Sequence, residues 1–412
     1  MKYLVPLLLL SLLLSCTSGE IEIHEWRGVN RTGIYPDGDL LKEWPENGPG
    51  EIWTVDSLGR GYGSPIFVDD QFFITGEIDS LVVLHGFNLK GEQLWTTTLG
   101  KEWISSFPGS RSAPTVVNGM IYVGSGMGDL YCVNSKDGTI VWSRQFSSDL
   151  QEMFPLHGHS EAAVVSGDKV FWTPGGKTHN VVALNRHTGE LVWSQSAFGE
   201  RSAYNQGNLI RLPNREIFVT FTAFHLMGLD AETGELLWSQ EQWGVPLEER
   251  DIGKGDTHPN GVLYENGSIF YSSYDGNRGV RLDLSEDGTE ISEIWRNPEF
   301  DGLMGGMVKM GNYIYGEATT TQYFISVNAT TGQISDSLKT GRGIVIAADE
   351  MLYYYNQRGV LRLISPRDGK LTEISSFKIT RGTGQHFSHP VIYRGVLYLR
   401  HGQVLMAFDI RG

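Results

Sequence analysis

Beyond the first fifteen residues, apolar positions along the chain fall into short runs separated by polar tight turns that end in glycine. Three copies of one phrase make the pattern plain: LYCVNSKDGTIVWS from Leu130, VVALNRHTGELVWS from Val181 and LMGLDAETGELLWS from Leu226. In each, Trp follows the turn glycine by four positions (Gly138 to Trp142, Gly189 to Trp193, Gly234 to Trp238), and Gly91 with Trp95 obeys the same rule. Short polar side chains before a glycine favour a tight turn, because they bond their own backbone and glycine accepts positive φ. The pattern predicts β-hairpins. Weaker copies carry their turn glycines at Gly288, Gly332 and Gly369.

These glycines are separated by 47, 51, 45, 54, 44 and 37 residues, a period that suits a four-stranded propeller blade. Each hairpin is preceded by a further strand that begins at a small or turn-forming residue, as at Ser64-Pro65, Ser112-Ala113, Ser160-Glu161, His258-Pro259 and Gly305-Gly306. An eighth such start, at Ser388, leads only to the chain's last strand. Gly50-Glu51-Ile52-Trp53-Thr54 has the post-turn pattern with no strand before it, so it can complete that last blade and remove its open edge. The expectation is an all-β, eight-bladed β-propeller over 50–412, with the N-terminal strand closing the ring.

The ends of the chain add a setting. Residues 1–15, MKYLVPLLLLSLLLS, read as a signal-peptide core, too short to span a bilayer comfortably. The sequence Leu13-Leu14-Ser15-Cys16 resembles the bacterial lipobox, which implies lipidation at Cys16. Acyl chains there would hold the protein on a membrane of the bacterial envelope, on the periplasmic or surface face and with an outer-membrane address. Residues 16–49 are then a lipidated tether and N-terminal segment. With Cys16 acylated, Cys132 has no partner, and the expectation is a small buried residue. A formal charge of −15 without a basic stripe argues against nucleic acid. The 51 glycines and the 18 Phe, 17 Tyr and 11 Trp are accounted for by turns and strands.

The hairpin phrase resembles the repeat of the pyrroloquinoline-quinone (PQQ) propeller superfamily, which holds quinoprotein alcohol dehydrogenases and the outer-membrane β-barrel assembly lipoprotein. The stretch Trp26-Arg27-Gly28-Val29-Asn30-Arg31-Thr32-Gly33, followed by Leu40-Leu41-Lys42-Glu43-Trp44-Pro45, resembles the N-terminal signature of a bacterial subgroup of PQQ-like repeat proteins. It is expected to lie across the propeller with Trp26 and Trp44 as apolar anchors. Fold resemblance alone does not carry function.

In a propeller the first strand of each blade is nearest the axis, so residues at the strand starts crowd one mouth of the channel. Those positions supply Arg111, His159, Glu161, Arg201, His258, Asn260, Arg342, His386 and His389, the candidate ligand-binding set. If they converge, they suit an anion or a metal; taken singly, each also fits a solvated loop residue or a histidine satisfied by the backbone. His157 and His159, at i and i+2, share a strand face and would meet an ion with Glu161. No calcium-loop spacing appears, and no metal is assigned. The resemblance also implies PQQ with Ca²⁺, which Arg111, Arg201 and Arg342 would hold through its carboxylates. Against that, the adjacent Cys–Cys pair usual in those enzymes is impossible with two cysteines, and there is no C-x-x-C-H haem attachment. Catalytic residues are not assigned. A hydrolase built on Glu161 lacks the second carboxylate of glycoside hydrolysis. The reading is a monomeric, membrane-anchored binding or scaffold module for an envelope protein or extracellular polymer, with a quinoprotein-type dehydrogenase as the alternative.

Overall fold

The computed structural model describes residues 22–150, 153–243 and 255–412. The leader, Cys16 and the start of the tether lie outside the described residues. Eight antiparallel sheets stand in a ring, each stepping outward from a short axial strand. The first blade comprises Ile66–Val68, Gln71–Ile78, Leu81–Asn88 and Gln93–Lys101, and the fourth Asn208–Leu212, Arg215–Phe221, His225–Asp230 and Leu236–Glu241. In the eighth, Val391–Tyr393, Val396–His401 and Val404–Asp409 come from the C-terminus, and Gly50–Val55 is its outermost strand, paired Gly50 to Asp409 and Trp53 to Ala407. The ring therefore closes as the pattern predicted. All seven turn glycines have positive φ, between 71° and 78°.

Two devices repeat around the ring and neither shows in the hydrophobic pattern. First, the pairing of the third and fourth strands slips by one residue beside the post-turn tryptophan, for example between Cys132 and Val133, Ala183 and Leu184, and Gly228 and Leu229. Such a bulge increases local twist and turns the outer strand. Second, that tryptophan packs on the turn glycine of the next blade. A Cβ on Gly138 would sit 2.5 Å from the Trp95 ring, one on Gly189 2.8 Å from Trp142 and one on Gly234 2.6 Å from Trp193. The indole N–H then donates to a carbonyl of the same neighbouring turn: Trp142 to Arg186 at 2.9 Å, Trp193 to Ala231 at 3.2 Å and Trp295 to Ala329 at 2.9 Å. The turn glycine is thus required twice, for its φ and for the ring above it. Cys132 is unpaired and fully buried between such sheets.

Residues 23–35 lie along the inner strands at the axis, and the chain then runs outward between blades seven and eight, where the Trp44 N–H donates to Ser375 Oγ on the outermost strand of blade seven at 3.0 Å. Ile23–His24 adds antiparallel to the inner strand of blade two, and Ile34–Tyr35 adds parallel to the inner strand of blade seven, Gly343–Ala348. Trp26 and Trp44 are both buried, Trp44 edge-on to Phe377.

Candidate functional site

A chain that enters the axis must satisfy the inner strands' free carbonyls, and two arginines do this. Arg27 donates to the carbonyls of Val345 and Met307, both at 2.8 Å, and to Nδ1 of His389 at 3.1 Å. Arg31 donates to the carbonyls of Ala162, Ala163 and Gly207 and pairs with Glu25 at 2.9 Å. Between them they tie blades three, four, six, seven and eight to one short segment. Burial lowers the Arg27 pKa to about 10, which leaves it charged at neutral pH. Gly33 sits against this guanidinium so closely that a Cβ would lie 1.9 Å from Nη2. Arg27 and Gly33 of the N-terminal signature therefore serve one contact, and Arg31 a second on the opposite blades.

The plug closes one end of the axis. At the other end lies a cavity of about 190 Å³, floored by Trp26 and walled by Tyr62, Phe107, His157, Tyr204 and Phe387. Leu303, Met304, Ser64, Ser160, Gln206, Thr257 and Gln357 add to the lining with Arg111 and His389. Phe107 meets His157 and Phe387 edge-on, at 5.3 and 5.8 Å between ring centres.

Of the nine candidates read from the sequence, Arg111 and His389 border this cavity and the other seven do not. Arg111 lies over the Tyr62 ring and donates to the carbonyls of Ser106, Phe107 and Gly109 at 2.6 to 2.7 Å. His389 stands edge-on to Trp26, its pKa driven well below the usual value by burial and by the Arg27 charge. His159 is buried with Nε2 2.8 Å from the Pro174 carbonyl, and burial lowers its pKa too. Glu161 accepts from the Thr173 backbone N–H at 2.9 Å, and burial raises its pKa to about 7. Arg201 pairs with buried Asp256 at 2.9 Å, His258 bonds the Ala223 carbonyl at 3.0 Å and Asn260 donates to the Ser272 carbonyl at 2.9 Å. Arg342 reaches the Thr319 carbonyl at 3.4 Å, and His386 shares a hydrogen bond between Nδ1 and Tyr355 Oη while stacking on His401 at 3.6 Å. The physical reason is common to these residues: a polar side chain carried into a tightly packed ring is drawn to the nearest unpaired backbone or side-chain group.

His157 and His159 also part company, since His157 lines the cavity with Nδ1 3.1 Å from Ser106 Oγ while His159 points between blades. Among the described residues no group of three His, Cys, Asp or Glu is placed to hold a metal. The lining that the sequence reading passed over is aromatic and amide: Tyr62, Phe107, Tyr204, Gln206, Gln357 and Phe387. Its signal is present as aromatic residues in the loops just before the strand starts, among them Phe107 ahead of Arg111 and Phe387 beside His386.

The model of the family described as outer membrane protein assembly factor BamB matches residues 79–338. The BamB of Salmonella typhimurium is 26% identical over 110 residues, which cover 24% of this chain and 27% of that one. A quinoprotein ethanol dehydrogenase of Pseudomonas aeruginosa is 29% identical over 112 residues, covering 27% of this chain and 17% of the relative. The matched stretch thus spans no more than 27% of the length of either relative. In three dimensions the chain is similar to BamB from Moraxella catarrhalis, with a TM-score of 0.63 and 14% identity over 88% of this chain and 100% of that one. That likeness concerns the fold.

Proposed function

The chain belongs to the family of outer membrane protein assembly factor BamB, and from that premise we propose that it is a rigid binding module which docks an envelope protein on the face bearing the cavity mouth. We infer further that residues 1–15 are a leader, that Cys16 carries the lipid and that 16–49 and 50–412 are tether segment and propeller. The observation that carries the docking role is a set of exposed apolar side chains on successive blade-to-blade loops, of which Phe107 borders the cavity: Ile104, Phe107, Leu156, Phe198 and Trp243, the last 59% exposed. Other exposed aliphatics, such as Leu94, Val141, Val192 and Ile294, recur just before the packed tryptophans on the outer strands and follow from the repeat itself. Apolar side chains gathered at a polar-rimmed face mark a contact surface. A photo-crosslinking residue at Phe107 in intact cells is expected to capture an envelope protein, and Ile104→Glu with Leu156→Glu to abolish capture at unchanged stability. Absence of any protein adduct overturns this reading.

The dehydrogenase reading has the Pseudomonas aeruginosa similarity in its favour, but the donor set does not fit PQQ. Of the three arginines expected to hold its carboxylates, only Arg111 borders the cavity, and its N–H groups are turned onto loop carbonyls. Among the described lining residues there is no carboxylate to ligate Ca²⁺. Titration with PQQ and Ca²⁺ is expected to give neither an absorbance change nor a thermal shift.

A further inference from the structure

We propose that the mouth cavity binds one uncharged pyranose ring of a saccharide. The site shares Phe107 with the exposed apolar set and does not require a protein docked there. Its volume of about 190 Å³ compares with roughly 150 Å³ for an engineered cavity that holds benzene, so there is room for one substituted six-membered ring. Trp26, Tyr62, Phe107, Tyr204 and Phe387 present ring faces and edges on several sides, the surface against which the C–H face of a sugar packs.

The polar groups decide the ligand class. Ser64, Ser160 and Gln206 are already committed: Ser64 Oγ donates to the His389 carbonyl at 3.0 Å, Ser160 Oγ to the Asn205 carbonyl at 3.2 Å, and Gln206 bonds both the Ser160 carbonyl and the Ala162 N–H. Tyr204 Oη, Thr257 Oγ1, Gln357 Oε1 and His157 Nε2 have no hydrogen bond to any described residue and border the cavity. A phenyl side chain filling the site would strip water from these groups without replacing it, at about 1–3 kcal/mol for each group left unmade. An anion would meet a guanidinium already turned to carbonyls and a histidine that burial keeps neutral. A cation would find no carboxylate among the described lining residues. An uncharged ring bearing several hydroxyls satisfies all of these conditions together.

The test uses the full chain and a panel of methyl pyranosides, with N-acetyl-phenylalanine amide and sodium phosphate as contrasting probes, read by calorimetry and saturation-transfer NMR. At least one pyranoside is expected to bind saturably with a Kd of ~1 mM, as suits a single small ring. Tyr204→Phe and Gln357→Ala should each weaken it several-fold at an unchanged urea midpoint. Should Tyr204→Phe disturb folding, Gln357→Glu gives the same readout. Failure of every pyranoside to saturate overturns the proposal, as does tighter binding of the phenylalanine amide or of phosphate. Crosslinking at Phe107 is independent of this outcome, so loss of the sugar site leaves the docking role standing, and the reverse holds too.

Discussion

The indole N–H of Trp95 donates to the carbonyl of Ser135 at 3.0 Å, while its six-membered ring covers Gly138 of the same turn. The outermost strand of one blade is thereby tied to the hairpin of the next, and the tie recurs from Trp53, whose N–H donates to the Leu89 carbonyl at 2.9 Å and whose ring faces Gly91. At Trp238 it lapses: the indole N–H has no partner among the described residues, and Gly288 of the next blade packs on Leu212 and Ile217 instead.

Trp95 and Gly138 should therefore be separable by substitution. Trp95→Phe keeps a ring and loses the hydrogen bond, an expected cost of about 1 kcal/mol. Trp95→Ala should cost about 3 kcal/mol, and Gly138→Ala about 2 kcal/mol through left-handed strain and the clash with the ring. Urea denaturation measures all three, and a neutral Gly138→Ala would contradict the packing.

Removing Arg27 should loosen the axis rather than the blades. Arg27→Met leaves the Val345 and Met307 carbonyls buried without donors, an expected loss of about 2–4 kcal/mol. Gly33→Ala should act in the same direction by pushing the guanidinium aside. Limited proteolysis is expected to cut within residues 22–44 faster in both variants than in the native chain.

Glu102 predicts stability lost toward alkaline pH. Its Oε1 accepts from the backbone N–H groups of Trp103 and Gly126 at 2.7 Å, yet burial outweighs these and the Arg111 charge and raises its pKa from 4.5 to about 7. The folded protein then holds a proton that the unfolded chain releases, so this contribution is complete below pH 4.5 and disappears as pH rises to 7, by up to about 3 kcal/mol. Glu161 and Glu317, raised to about 7 by burial as well, add slopes over the same range, so Glu102→Gln, which keeps an acceptor for both N–H groups, should reduce the slope of the urea midpoint against pH by its share.

His386 predicts the opposite slope. Burial, then the charges of His401 and Lys378, lowers its pKa from 6.5 to about 4. Between those values the unfolded chain takes a proton that the folded imidazole refuses, so stability declines as pH falls from 6.5 to 4. His85, His159 and His389 are lowered by burial too, so His386→Gln should make this decline shallower rather than abolish it, measured by the same titration.

Blade number and blade phase were readable from residues 50–412 because each depends on contacts between neighbours in sequence, and ring closure, which pairs Gly50 with Asp409, was readable because the last blade lacked one strand and Gly50–Val55 lacked a hairpin. A glycine that needs positive φ, a polar side chain that bonds its own turn and an apolar alternation all act within one hairpin. The grip of Trp95 on the next blade was invisible for the opposite reason, since nothing local distinguishes a tryptophan packed within its hairpin from one that covers another.

The mouth shows the same division. The sequence placed Arg111, His159, Glu161, Arg201, His258, Asn260, Arg342, His386 and His389 near one end of the axis, because strand starts share that end in any propeller. Side-chain direction was settled only on folding: most of these groups turned to the nearest unpaired carbonyl, N–H or ionic partner, since a buried polar atom left unpaired is costlier than a cavity left to aromatic rings. The N-terminal segment followed the same rule in reverse. Trp26 and Trp44 announced that it would be buried, but the carbonyls of several different blades, brought together only when the ring closed, determined where Arg27 and Arg31 had to go.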